Sequence, residues 1–191
     1  MELSERQKQI VEEAVALMAE RGIQYFTMKR LAERIGVTEP ALYRHYANKN
    51  AILDAVIDSF DALVQDACVV PPELRGLDRL GLLLRQRYRL FASHPHLAKV
   101  MMSETNFQYD EAMSRRVLQV MHGHGAAFAE SLAEAQQAGR IPADVPPAHL
   151  FHMVVGAVRL LVTRWCLSGF VFDLEVEGEA LWLSQKRILE R

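Results

Sequence analysis

From Ser4 to the C-terminus, apolar residues return every three or four positions, and each such run ends at a glycine, a proline or a short polar cluster. No run of useful length alternates apolar with polar residues. That period predicts an all-α fold, because side chains three and four apart share one helix face whereas strands need a period of two. Ile10, Ala14, Leu17 and Met18 lie on one face of a first helix at about residues 4–21, with Ser4 as a possible N-cap and Gly22 suited to close the end. Thr27 precedes a second stripe, Met28, Leu31, Ala32 and Ile35, which Gly36 terminates. Thr38 is placed to cap a short third helix with Pro40 in its first turn, where the missing N–H costs nothing, and Ala47 to Asn50 breaks it. A fourth helix over Ala51 to Cys68 carries Ile52, Val56, Phe60 and Leu63, and Pro71-Pro72 stops it. The pattern continues as helices at about 74–93, 95–104, 110–138, 147–168 and 173–190, about nine in all.

Charge narrows the functional classes. The 191-residue chain has a formal net charge of −2, which argues against non-specific coating of nucleic acid, since that needs a broad excess of Lys and Arg. The cations are instead local. Between Thr27 and Lys49 stand Lys29, Arg30, Arg34, Arg44 and Lys49 against only Glu33 and Glu39.

The second and third helices, joined through Ile35-Gly36-Val37, have the helix-turn-helix arrangement. Gly36 permits the tight turn, and Leu31, Ile35, Val37 and Leu42 can share a small core. With Leu42 inward, Thr38, Glu39, Ala41, Tyr43, Arg44 and His45 are spread around the start and outer sides of the third helix. A recognition helix needs such an end: its first residues reach base edges in the major groove, while the surrounding Lys, Arg, Tyr, Thr and His hold phosphates.

The stretch ERGIQYFTMKRLAERIGVTEPALYRHYANKNAIL, within residues 10 to 60, resembles the N-terminal pattern of the TetR (tetracycline repressor) family in order and spacing. The resemblance implies a helix-turn-helix DNA-binding domain over residues 1–50 and an effector-binding and dimerisation domain over 51–191. It implies phosphate contacts at Thr27, Tyr43, His45 and Lys49, and base-reading positions at Lys29, Glu39, Pro40, Ala41 and Arg44, with Thr38 at the start of the helix. Tyr46 stands where the family commonly has Phe and is expected inside. Glu39 can accept a hydrogen bond from cytosine N4, or simply favour the helix N-terminus through the dipole. Arg44 suits guanine, whose O6 and N7 match a guanidinium fork.

Half of the residues are apolar, enough for a substantial core in the remainder of the chain. Leu150, Met153, Val154, Ala157 and Leu161, with Leu181, Leu183 and Ile188, form apolar stripes expected to join two copies into a homodimer, the symmetry a palindromic operator requires. The middle helices are rich in Met and aromatics, so the expected effector is small and largely apolar, with Arg87, Tyr88, Phe91, Met102, Thr105, His122 and Arg159 as candidate contacts. His94, His96, His122, His124, His149 and His152 lack acidic or thiolate partners at informative spacing, and neither a metal nor another cofactor is expected. HExxH, GxSxG, di-iron Glu-x-x-His and phosphate-binding glycine patterns are absent, so the chain is read as a regulator and not an enzyme. The alternative is a DNA-binding architectural or interaction protein without an effector. No secretion signal and no uncharged stretch of membrane-spanning length is found, and Cys68 and Cys166 lack CxxC partners; the expected location is the cytoplasm, with no membrane.

Overall fold

The computed structural model describes residues 3–103, 107 and 110–190. Among these the secondary structure is helical, without strands: α1 (Glu5–Arg21), α2 (Met28–Ile35), α3 (Glu39–Tyr43), α4 (Lys49–Ala67), α5 (Gly76–Ser93), α6 (Pro95–Met102), α7 (Glu111–Gln137), α8 (Pro147–Leu167) and α9 (Leu174–Leu189). The expected elements all appear, most with ends shifted by one or two residues; α3 stops at Tyr43, before the expected break at Ala47, α4 begins within that break at Lys49, and the expected end at residue 104 lies outside the described residues. Ser4 caps α1 in a reciprocal capping box with Gln7. Thr27 Oγ1 accepts from the Arg30 amide at 3.2 Å to cap α2, and Gly36 ends it at φ 74°, a left-handed conformation that glycine adopts without a Cβ clash. Thr38 occupies the N-cap position of α3 but makes no side-chain capping bond.

The chain divides into two compact units. One comprises residues up to 62 with 96–117, the other 63–95 with 118–191; α4 and α7 contribute to both.

In the first unit, α1 and α2 pack together and α2 packs on α3. Ile10, Ala14, Leu17, Met18, Phe26, Leu31 and Leu42 form its buried centre. Ile35 and Val37, expected there too, are half-buried at its edge. Asn50 Nδ2 donates to Asp110 Oδ2 at 3.2 Å, and Arg116 of α7 pairs with Asp58 of α4.

In the second unit, α9 lies against both α5 and α8. The approach of α5 to α9 depends on two glycines. A Cβ on Gly81 would overlap the Trp182 indole, and one on Gly178 would overlap the Tyr88 ring. Each helix thus offers a bare backbone to the other's aromatic ring, and Trp182 and Tyr88 are both buried there. Arg85 pairs with Glu179 at the rim of this contact.

On α8, Leu150, Val154, Val158 and Val162 recur every fourth residue and are buried within the protomer. Leu150 and Val154 are therefore core, not the intersubunit surface that the sequence suggested: their face of α8 is turned inward. The apolar residues left outside are Met153 (59% exposed), Leu160 (63%) and Leu167 (81%), with Val176, Leu183 and Ile188 on α9. By length and composition α8 qualifies as a membrane-crossing helix, which the uncharged-stretch criterion missed because Arg159 interrupts it. Its buried i, i+4 row is equally the pattern of a core helix.

Gly178→Val is expected to destabilise the fold by about 2 kcal/mol, because the added methyls meet a fixed ring and overpacking carries that order of cost. Gly123→Ala, on α7 with open space around its Cβ position, is expected to stabilise by up to about 1 kcal/mol from helix propensity alone. Urea unfolding of both variants checks the contrast.

Candidate nucleic-acid interface

The third helix has five residues, too few to hold its shape alone. Two side chains anchor it. Leu42, 1% exposed, enters the centre shared with α1 and α2, and Tyr46 is buried just beyond, its hydroxyl directed at the Gln7 carbonyl at 3.5 Å. Burial of the Tyr46 ring pushes its phenol pKa upward. With Leu42 and Tyr46 inward, helical geometry forces Tyr43, Arg44 and His45 outward, and all three are exposed.

The other sequence-predicted residues of the first unit are open to solvent to different degrees. Thr27, Lys29, Thr38 and Pro40 are exposed, and Glu39 and Ala41 are half-buried. The Tyr43 hydroxyl donates to Glu39 Oε1 at 3.2 Å, one turn back. Desolvation and then the Glu39 carboxylate push the Tyr43 pKa up, so the phenol stays protonated and able to donate. Glu39 therefore already holds a partner in the free protein, a role the sequence reading did not consider.

Lys49 is less open than expected. Its Nζ donates to the Ile23 carbonyl at 3.4 Å and lies 5.4 Å from the centre of the Phe26 ring, and burial pushes its pKa down. A phosphate contact requires the ammonium to swing out from this seat.

Arg34 differs from the other cations. Its Nε donates to Glu13 Oε2 at 2.7 Å, and both terminal nitrogens donate to the Glu20 carboxylate at 2.9 Å. This bidentate clamp ties α2 to α1, and the two carboxylates cancel the charge that the sequence count assigned to the cationic cluster. Arg30, from the same count, has no carboxylate partner among the described residues and stays exposed. Its guanidinium lies 3.6 Å from the Tyr25 ring centre and donates to the Tyr25 carbonyl at 3.1 Å, beside the Thr27 cap and open to solvent. The sequence reading counted Arg30 among the cations without assigning it a contact.

The expected effector residues are not gathered in the same way. Arg87, Tyr88 and Phe91 are buried on α5, and Arg159 is half-buried on α8, all in the second unit. His122 is exposed on α7 and faces no interior of that unit. Met102, half-buried, belongs to the first unit, and Thr105 lies outside the described residues. Among the described residues no three His, Cys, Asp or Glu side chains converge as a metal site would require.

Residues 10–56 match the family model described as bacterial regulatory proteins of the tetR family, and residues 60–183 match the C-terminal region of YsiA-like proteins within the same group. The chain belongs to the tetR family of bacterial regulators. It is 22% identical over 171 residues to the fatty acid metabolism regulator protein of Bacillus subtilis, covering 87% of this chain and 86% of that protein. Its fold superposes on the fatty acid degradation regulator FadR of Bacillus halodurans with a TM-score of 0.83, at 18% identity and 97% coverage of both chains. FadR of Bacillus subtilis, solved in complex with stearoyl-CoA, gives 0.75 at 19% identity, covering 93% of this chain and 96% of that one. The chain is a helix-turn-helix, DNA-binding transcriptional regulator.

The Arg34 clamp sets an acid limit on the head. The Arg34 hydrogen bond holds the Glu20 pKa below its ordinary 4.5. A depressed folded-state pKa contributes stability above the unfolded value that disappears as pH falls through the folded one. The protection of α2 amides, measured as exchange relative to the intrinsic rate at each pH, is expected to hold above about pH 4.5 and to fall below it; Glu20→Gln should show lower protection at neutral pH and a flatter acid response.

Proposed function

We propose that the chain is a repressor, two copies of which hold a palindromic operator until a small, largely apolar effector releases them. Residues 1–50 bind DNA, and residues 51–191 provide dimerisation and effector binding, in the cytoplasm. The observation that carries the reading is α3 itself, fixed inward by Leu42 and Tyr46 with Tyr43, 48% exposed, and Arg44 and His45 turned to solvent.

On this reading Thr27, Tyr43, His45 and Lys49 hold phosphates, joined by Arg30, while Lys29, Thr38, Glu39, Pro40, Ala41 and Arg44 face base edges. Arg44 reads guanine through its guanidinium fork. Lys49 leaves the Ile23 carbonyl for a phosphate, which offers a full negative charge in place of a neutral acceptor.

Dimerisation is supported by the exposed row Met153, Leu160 and Leu167 on α8 beside Val176 and Leu183 on α9. Exposed apolar side chains on two helices that pack together are relieved of water by a self-complementary partner. The complex of one structural relative with stearoyl-CoA supports a largely apolar effector here. An effector releases DNA only if it binds the released arrangement of the two heads better than the bound one.

Arg44→Ala is expected to weaken operator binding by about 1–3 kcal/mol while leaving random duplex nearly unchanged. Lys49→Ala should weaken both and reduce the salt slope by about one unit. Fluorescence anisotropy on operator and scrambled duplex over a salt series reads both; equal Arg44→Ala losses on the two duplexes would contradict base reading. Leu160→Glu combined with Leu167→Glu is expected to give a folded monomer by light scattering with greatly reduced operator affinity.

A further inference from the structure

The second unit carries its cations in two ways. Arg75, Arg79, Arg85, Arg89 and Arg140 all pair with glutamates at its surface. Arg87 does not. It is 9% exposed, its Nε has no hydrogen-bond partner, and no carboxylate among the described residues interacts with it. What surrounds it is soft and apolar: the Phe91 and Phe128 ring centres lie 5.8 and 5.9 Å from the guanidinium carbon, and the Cys68 thiol is close enough to act on it. Burial pushes the pKa of this arginine down, opposed only by that sulfur.

A buried cation held by two rings and a thiol is poorly compensated. Aromatic faces and a thiol recover part of the lost hydration but supply no negative charge. A Met or Leu of similar volume would fill the same space without that penalty, so for the fold alone the arginine is the worse residue. Nε is buried and unpaired, and that matters chemically. Nε with one terminal nitrogen presents two parallel N–H groups, the edge of a guanidinium that fits a carboxylate in two hydrogen bonds.

We infer that Arg87 is the anchor for the carboxylate of an apolar carboxylic acid, whose hydrocarbon part lies against Phe91 and Phe128. This rests on the reading that the second unit takes the effector, and it specifies that effector's head group. A thioester of the same acid brings a neutral carbonyl to the fork and carries its charges elsewhere, so it satisfies the hydrogen bonds but not the charge. A free acid satisfies both.

The test compares decanoate, 1-decanol and decanoyl-CoA by calorimetric titration on the full-length protein, below their micellar concentrations. Decanoate is expected to bind about tenfold or more tightly than decanol, the preference a charge-assisted pair confers. In Arg87→Met that preference should fall to near unity, while the unliganded variant melts no lower than the parent, because an uncompensated charge has been replaced by a well-packed apolar group. Equal binding of acid and alcohol to the parent overturns the inference whether or not the variant folds. So does a preference that survives in Arg87→Met, a lower melting temperature of that variant, or no binding of decanoate. Operator release by decanoyl-CoA without any effect of decanoate removes the carboxylate anchor and leaves the effector-released repressor standing. Ligands that bind without changing operator affinity remove the latter.

Discussion

A five-residue helix turns Tyr43, Arg44 and His45 to solvent, and such a helix exists only because Leu42 and Tyr46 are drawn into the centre of the first unit. Burying these two residues removes enough apolar surface to fix the orientation of α3, and orientation is all the remaining side chains need: Tyr43, Arg44 and His45 have no other way to point than out. The Arg34 clamp to Glu13 and Glu20 secures α2 against α1. Leu31, on that same helix, is fully buried like Leu42, and α2 packs on α3. The exposed side chains of α3 are held in place by packing behind the helix and not by the helix itself.

The head was largely legible in the sequence because its signals are local. Thr27, Gly36 and Pro40 mark helix starts and stops by backbone chemistry that needs no tertiary partner, and the i, i+3, i+4 row from Met28 to Ile35 fixes which side of α2 turns inward. What the sequence concealed there were long-range pairings. Glu13 and Glu20 are 21 and 14 residues from Arg34, so nothing in a window around Arg34 showed that its charge is neutralised. Lys49 likewise reads as an open cation until the Ile23 carbonyl, 26 residues earlier, is seen beside it.

The body was legible as helices but not as surfaces. Leu150, Met153 and Val154 are equally apolar, and only their places in the folded unit separate the buried pair from the exposed Met153. The two glycines under Tyr88 and Trp182 have the same character: Gly81 and Gly178 look like helix weaknesses in sequence and are the condition for α5 and α9 to meet. Arg87 stands among five arginines with ordinary surface partners, and no periodicity distinguishes it from them. Both features belong to the tertiary arrangement, where composition and spacing carry no information about which neighbour fills which gap.

All of this depends on α3 being offered to the major groove by two copies related by symmetry. The most direct measurement is selection of bound duplexes from a random DNA pool by the full-length protein at moderate ionic strength. The account predicts enrichment of an inverted repeat whose half-sites are separated by about one helical turn or a multiple of it. Winners without dyad symmetry, or a pool that remains random after repeated rounds, would contradict it.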